Sequence, residues 1–291
     1  MSVAPQTSEA IAYAIGSALE PFPNLLFAFL FGSAASGRLR SDSDVDVAVY
    51  QASAARLEIE DDHALDREAD IQVAVERATQ RNVELLTLNS GPATVCAAAL
   101  LSGRPVFVRD GAFYTRYLLA VTMVASDFLE TEREFRAIRD RSRSLSPIDR
   151  SRLLRILDFI DTELTDREQF RAVTLASYQT DRNLRRNLDR WVEMLINAAI
   201  DVGKIVLGCE QRPVPYTYGQ ILADLESTEH FSDLAGRLKP LAALRNVLAH
   251  EYLELRFGRV ASFAGAGADA IGRLARLTQA WLQHKESEGD E

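Results

Sequence analysis

The 291-residue chain has few cysteines and few lysines, and no apolar run long enough to cross a bilayer. Its two cysteines, Cys96 and Cys209, lie far apart, and neither has a metal-ligand neighbour in sequence. That spacing excludes a disulfide framework and a thiolate metal site, so two free thiols in a reducing cytosol are expected. Only Lys204, Lys239 and Lys285 are lysines; arginine supplies almost all the positive charge. The formal net charge is −9. A chain with that balance does not coat nucleic acid through bulk charge, and any RNA contact must be local. The longest apolar runs are strand-length or broken by charged residues, which excludes a membrane partner of the spanning kind. Residues 1–20 have no basic start and no cleavage pattern, so no signal peptide and a cytoplasmic location are expected. No internal repeat or low-complexity tract interrupts the chain.

What is present has room for two domains of ordinary size, and a hydrophobic content of 47% supports packed cores. Up to about residue 110 the pattern alternates. A helix is expected over Ser8–Leu19, stopped near Pro21 and Pro23. Strand-length apolar runs follow at Asn24–Phe31 and Val45–Tyr50. Leu57–Arg81 reads as one acidic helix, then a strand at Val83, a turn at Ser90-Gly91-Pro92, a helix to Leu101 and a short strand over Val106–Val108. This is an α/β pattern, a small mixed sheet with helices. After Gly111 the strand signal stops. One long helix runs from Phe113 to about Ser142. Ser146 then caps a helix with Pro147 in its first turn. Helices follow at about 147–172, 177–208, 217–226, 231–253 and 265–285, an all-α bundle with Trp191 and Trp281 in its core. The expected division is therefore 1–111, a connecting segment 112–146, and 147–291. The tail after Glu286 is polar.

The densest chemistry lies in FGSAASGRLRSDSDVDVAVY. Gly32-Ser33 ends one strand, and Asp44 and Asp46 open the next. Two residues apart on a strand, both carboxylates leave one face. They repel unless a cation lies between them, and hard oxygen ligands suit Mg²⁺. Gly32 lets backbone approach a ligand, while the Ser33 hydroxyl and nearby N–H groups can hold phosphate oxygens. The pattern G-S-x10-D-x-D resembles that of the nucleotidyltransferase superfamily, in its minimal (MNT) branch, over roughly residues 8–115. The resemblance implies a third acidic residue on a neighbouring strand. Glu84, in VELLTL, is favoured as metal ligand or base; Asp70, in ADIQV, is the rival. It also implies ATP as substrate.

A second constellation closes the chain: Leu244-Arg245-Asn246-Val247-Leu248-Ala249-His250-Glu251-Tyr252. At about 100° per residue, Leu241, Leu244, Leu248 and Leu255 form one stripe. Arg245 and Tyr252 share a second face. Asn246 and His250 share a third, on the side away from the leucines. An arginine that binds phosphate, an imidazole that moves a proton near neutral pH and an amide that orients either one could cleave a phosphodiester without metal. The string R-N-x3-H-x-Y at the end of a helical bundle resembles the HEPN domain, specifically HepT-type ribonuclease toxins with their R-x4-H-x-Y motif, over about residues 147–287. Pro215-Tyr216-Thr217-Tyr218 is similar to that family's P-x-S-Y segment. Arg182, Arg185, Arg186 and Arg190 share one helix face, either an RNA-contact patch or a solvated face paired with acids.

The two resemblances together imply a fused toxin–antitoxin protein: a HepT-like ribonuclease and an MntA-like antitoxin that adenylylates Tyr252. Mg²⁺ and ATP would serve the first domain and RNA the second, with a homodimer through the HEPN domain. Two alternatives stand beside it. One is a small-molecule, aminoglycoside-type nucleotidyltransferase whose helical half shapes a pocket; it has no use for Arg245, His250 and Tyr252. The other is a HEPN module that only dimerises or binds nucleotide.

Overall fold

A computed structural model describes residues 7–38, 43–53, 57–62, 64–141, 144–248 and 253–289. The chain divides into two compact units, Met1–Asp127 and Phe128–Glu291. The first follows the alternating pattern closely: α1 (Ser8–Leu19), β1 (Leu25–Phe31), α2 (Gly32–Ala35), β2 (Val45–Gln51), α3 (Glu68–Thr79), β3 (Val83–Thr87), α4 (Ala93–Ser102) and β4 (Arg104–Val108). The strands form one mixed sheet in the order β3-β2-β1-β4. β1 runs antiparallel to β2 and β4, and β2 runs parallel to β3.

Period-two alternation decides what each sheet face meets. Val45, Val47 and Val49 of β2 join Ile11, Ile15 and Leu19 of α1 and Ile71 and Val75 of α3 in one apolar cluster. The even-numbered positions of β2 turn to the other face. There Tyr50 stacks on Phe27 of β1 with ring centroids 5.0 Å apart. Both rings meet Tyr117 of the long helix α5 (Gly111–Arg141). The Tyr117 hydroxyl donates to Leu88 O at 2.6 Å, so even this buried phenol is satisfied.

One element is shorter than expected. Residues 57–62 and 64–67 are not helical; α3 begins only at Glu68. Tertiary hydrogen bonds hold this acidic stretch instead. Glu58 N donates to Tyr50 Oη at 2.8 Å, and Asn89 Nδ2 donates to the buried Glu58 carboxylate at 2.7 Å. Glu60 and Arg67 also have positive φ, which no α-helix accommodates.

The second unit is helical throughout its regular elements: α6 (Pro147–Leu164), α7 (Arg167–Arg171), α8 (Leu175–Thr180), α9 (Arg182–Cys209), α10 (Tyr218–Glu226), α11 (Lys239–Leu248), α12 (Leu253–Ser262) and α13 (Ala268–Gly289). The Ser146 side chain caps α6 by accepting from Asp149 N at 3.1 Å, as its sequence predicts. α9 is the central helix and buries Trp191, Leu195, Ile196, Val202 and Ile205; Trp281 is buried too. Fully burying each such side chain contributes about 1.5–3 kcal/mol.

The expected helix over 231–253 is broken. A 3₁₀ turn over Glu229–Leu234 precedes α11, and Gly236 between them has φ +73°. The buried Glu226 carboxylate accepts from Gly236 N and Leu238 N and fixes that turn. The π turn Phe263–Gly267 then joins α12 to α13. Gly267 is required there, because a Cβ would collide with the Phe263 ring. Arg167 donates to Gly265 O and Ala264 O, carbonyls in the π turn. No helix among the described residues is long and apolar enough to cross a membrane.

Candidate functional site

In the first unit the site grows from the junction of β1 and β2. Apolar side chains hold both strands in the sheet, so their ends are fixed. β1 ends at Phe31, paired with Asp46 across the strands. The chain then turns at Gly32, whose φ is +66°. A Cβ at Gly32 would lie 3.0 Å from the Asp46 carboxylate carbon and collide with Oδ2. Glycine is thus needed twice, for the left-handed backbone and for the carboxylate lying against it. Ser33 follows, half-buried, in the single turn of α2.

Asp46 pairs with Glu84 in the parallel β2–β3 register. Side chains directly opposite on adjacent strands share a face. Asp44, two residues earlier and just before β2, is exposed, and its charge acts on Asp46. Its segment is anchored by Val45 N donating to Asn82 O at 2.9 Å and Arg81 Nη1 donating to Ser43 O at 3.3 Å. Burial pushes the Asp46 carboxyl above its ordinary value, and the negative charges of Glu84 and Asp44 push it further. Three carboxylates therefore share one electrostatic field. Among the described residues, no three His, Cys, Asp or Glu side chains close on one point as a ready cation site. The donor set nonetheless fits a hard divalent cation: every donor is an anionic oxygen, and a cation would relieve the repulsion recorded at Asp46. Asp70 lies elsewhere, in the first turn of α3, where it pairs with Arg67 at 2.8 Å.

In the second unit Arg245 lies on α11, whose leucines Leu241 and Leu244 are buried as the periodicity requires. Its guanidinium is doubly held. Nε donates to Asn197 Oδ1 of α9 at 2.8 Å, and the planar group lies over the Tyr218 ring of α10, 4.2 Å from the centroid. The stacking and the Asn197 acceptor orient the planar group. Asn246 is only 2% exposed. It therefore belongs to the packed interior, not to a face turned from the core, because α11 is contacted on more than its leucine side. His250 and Tyr252 lie outside the described residues. Asn197 is the residue that sequence reasoning missed; its partner is 48 positions away and no local pattern marks it. Tyr218 sits in the Pro215-Tyr216-Thr217-Tyr218 segment and could be found there.

The arginine face of α9 divides by role. Arg185 Nη1 donates to Tyr178 O and Gln179 O at the end of α8. Arg190 pairs with Glu193 at 3.0 Å. Both cysteines are buried and free, and burial pushes each thiol up to about 12, so neither is a nucleophile near neutral pH.

Comparison with known families matches both units. Residues 14–112 match the family described as Polymerase beta, Nucleotidyltransferase, and residues 160–271 match Ribonuclease HepT-like. The first match spans Gly32, Asp44, Asp46 and Glu84; the second spans Asn197, Tyr218 and Arg245. A comparison with curated proteins finds no match.

Proposed function

We infer that this chain, which joins a nucleotidyltransferase domain to a HepT-like HEPN domain, is a fused toxin–antitoxin protein. Its N-terminal domain transfers AMP from ATP to Tyr252 and thereby silences a metal-independent ribonuclease. The supporting observation is the pairing of Asp46 with Glu84 beside Asp44, with the bare Gly32 Cα against the Asp46 carboxylate.

Asp44 and Asp46 would hold Mg²⁺, with Glu84 as a third ligand or as the acceptor of the tyrosine proton. The ion supplies charge neutralisation for the phosphates. Gly32 and Ser33 accommodate the triphosphate. The Tyr252 hydroxyl attacks the α-phosphorus; an O–P bond forms, the bond to the bridging oxygen of the β-phosphate breaks, and pyrophosphate leaves. The phenolic proton passes to Glu84 or to water. Transfer occurs within one chain or onto a partner chain, in a homodimer paired through the HEPN domains.

In the unmodified state Arg245 binds the scissile phosphate of RNA and His250 transfers protons, with Asn246 supporting the helix that carries Arg245. Tyr252 follows Arg245 by seven residues in the sequence. AMP there brings an anion to Arg245 and a base over His250, which excludes RNA.

Intact mass tests this directly. Wild-type protein incubated with ATP and Mg²⁺ should gain one or more AMP units, and Tyr252→Phe should gain none. Full incorporation into Tyr252→Phe would place the acceptor elsewhere and end the proposal. A small-molecule transferase or a binding-only module would leave the wild-type mass unchanged.

A further inference from the structure

A cavity of about 500 Å³ opens between α6 and α9, edged by Arg152, Arg155 and Arg190 and walled by Phe159 and Met194. Its volume lies within the range of about 300–1,000 Å³ typical of small-ligand sites. Three guanidinium groups and one carboxylate, Asp201, line it, in a chain whose net charge is −9. The feature is a local reversal of the bulk charge.

The three arginines are not equivalent. Arg152 meets Glu134 at 3.2 Å and Asp201 at 3.6 Å, and Lys204 meets the same two carboxylates at 2.6 Å each. That quartet neutralises itself; it braces α5, α6 and α9 together. Among the described residues Arg190 is held only by Glu193 on its own helix, with side chains 63% and 38% exposed. Such a pair contributes about 0–1 kcal/mol, so a phosphate can displace it. Arg155 is exposed and has no ion pair among the described residues. Two cations are thus available at the rim of an otherwise apolar wall.

Asn197 lines this cavity and is also the acceptor for Arg245 Nε. One side chain therefore separates the cavity from the arginine assigned to the scissile phosphate. We propose that the α6–α9 cavity is a subsite for the nucleotide next to the scissile phosphate of single-stranded RNA. Arg155 and Arg190 take its phosphate, and its base lies against Phe159 and Met194. Bases exposed in single strands stack on such apolar and aromatic walls, while guanidinium groups bind the backbone. This assignment rests on the nuclease reading of Arg245 and His250.

The test uses the full chain carrying Asp44→Asn and Asp46→Asn, so that nucleotidyl transfer does not intervene. Binding of a fluorescent 2′-O-methyl oligonucleotide, which lacks the free 2′-hydroxyl needed for metal-independent cleavage, is measured by anisotropy across a salt series. Arg155→Gln should weaken binding about tenfold and reduce the salt slope by about 0.7, the loss of one phosphate contact on a single strand. Arg155→Lys should restore most of both, and Phe159→Ala should weaken binding with no change of slope. Unchanged affinity and slope in Arg155→Gln, with an unchanged melting temperature, overturns the proposal. Absence of binding by the parent chain overturns it as well. If AMP binds the parent chain and needs Arg155 while the oligonucleotide does not, the cavity takes free nucleotide and the RNA assignment falls. Weakened binding in the variants together with no cleavage of unmodified RNA by the unadenylylated parent keeps the cavity as an RNA-binding site but removes the nuclease reading and, with it, the placement beside a scissile phosphate.

Discussion

Replacing Asp46 by Asn should stabilise the first unit and abolish nucleotidyl transfer. Asp46 faces Glu84 across β2–β3, and its carboxyl is raised by burial and then by Glu84 and Asp44. A raised carboxyl means the folded state holds the proton more tightly than the unfolded chain. Stability of the wild type therefore falls as pH rises from the ordinary value, 3.8, through the raised one. Asn cannot ionise and escapes that loss. Like charges opposite each other on strands cost about 0.2–1 kcal/mol per pair. Asp44 and Glu84 are exposed, so screening keeps each pair toward the low end. The two together give about 0.5 kcal/mol, or roughly 1–2 °C in melting temperature. Calorimetry of the full chain at low ionic strength should show the gain in full at pH 7 and none well below pH 3.8, where both states are protonated. Mg²⁺ should raise the wild-type melting temperature and narrow the difference, because it binds the folded wild type and not the variant. Labelled ATP should leave no label on the protein. A variant less stable than wild type at pH 7, or a gain indifferent to pH, would refute the account of three carboxylates in one field.

Gly32→Ala should destabilise the first unit by about 1–3 kcal/mol, since the left-handed backbone costs about 1–2 kcal/mol for an L-residue and the new methyl strikes Asp46 Oδ2. A denaturant midpoint equal to wild type would show that the turn relaxes and that glycine is not required. Asn197→Ala should lower RNA cleavage about tenfold while costing about 1 kcal/mol of stability, because Arg245 loses the acceptor that aims it. Asn197→Asp retains an acceptor and should recover much of kcat; equal rates in all three proteins would remove Asn197 from the site.

The sequence by itself determined most of the first unit. Strand-length apolar runs, prolines after α1 and the Gly32-Ser33…Asp44-Val45-Asp46 spacing specify β1, the turn and β2 through local chemistry alone. Capping chemistry at Ser146 likewise located the start of α6. Tertiary structure decided what lay between. Residues 57–62 are acidic and helix-compatible, yet hydrogen bonds to Tyr50 and Asn89, the latter 31 positions from Glu58, hold them out of a helix. The helix expected over 231–253 breaks because a buried Glu226 carboxylate gathers N–H groups 10 and 12 residues away. Pairing of Asp46 with Glu84 is a matter of register between strands. Asn246 changed face for the same reason: helical periodicity gives angles around an axis but not how many neighbours surround it. Asn197 and the arginines of α6 had no local signal at all, since helix packing alone brings α6, α9 and α11 side by side. Local sequence fixes which groups are present; long-range packing fixes which of them meet.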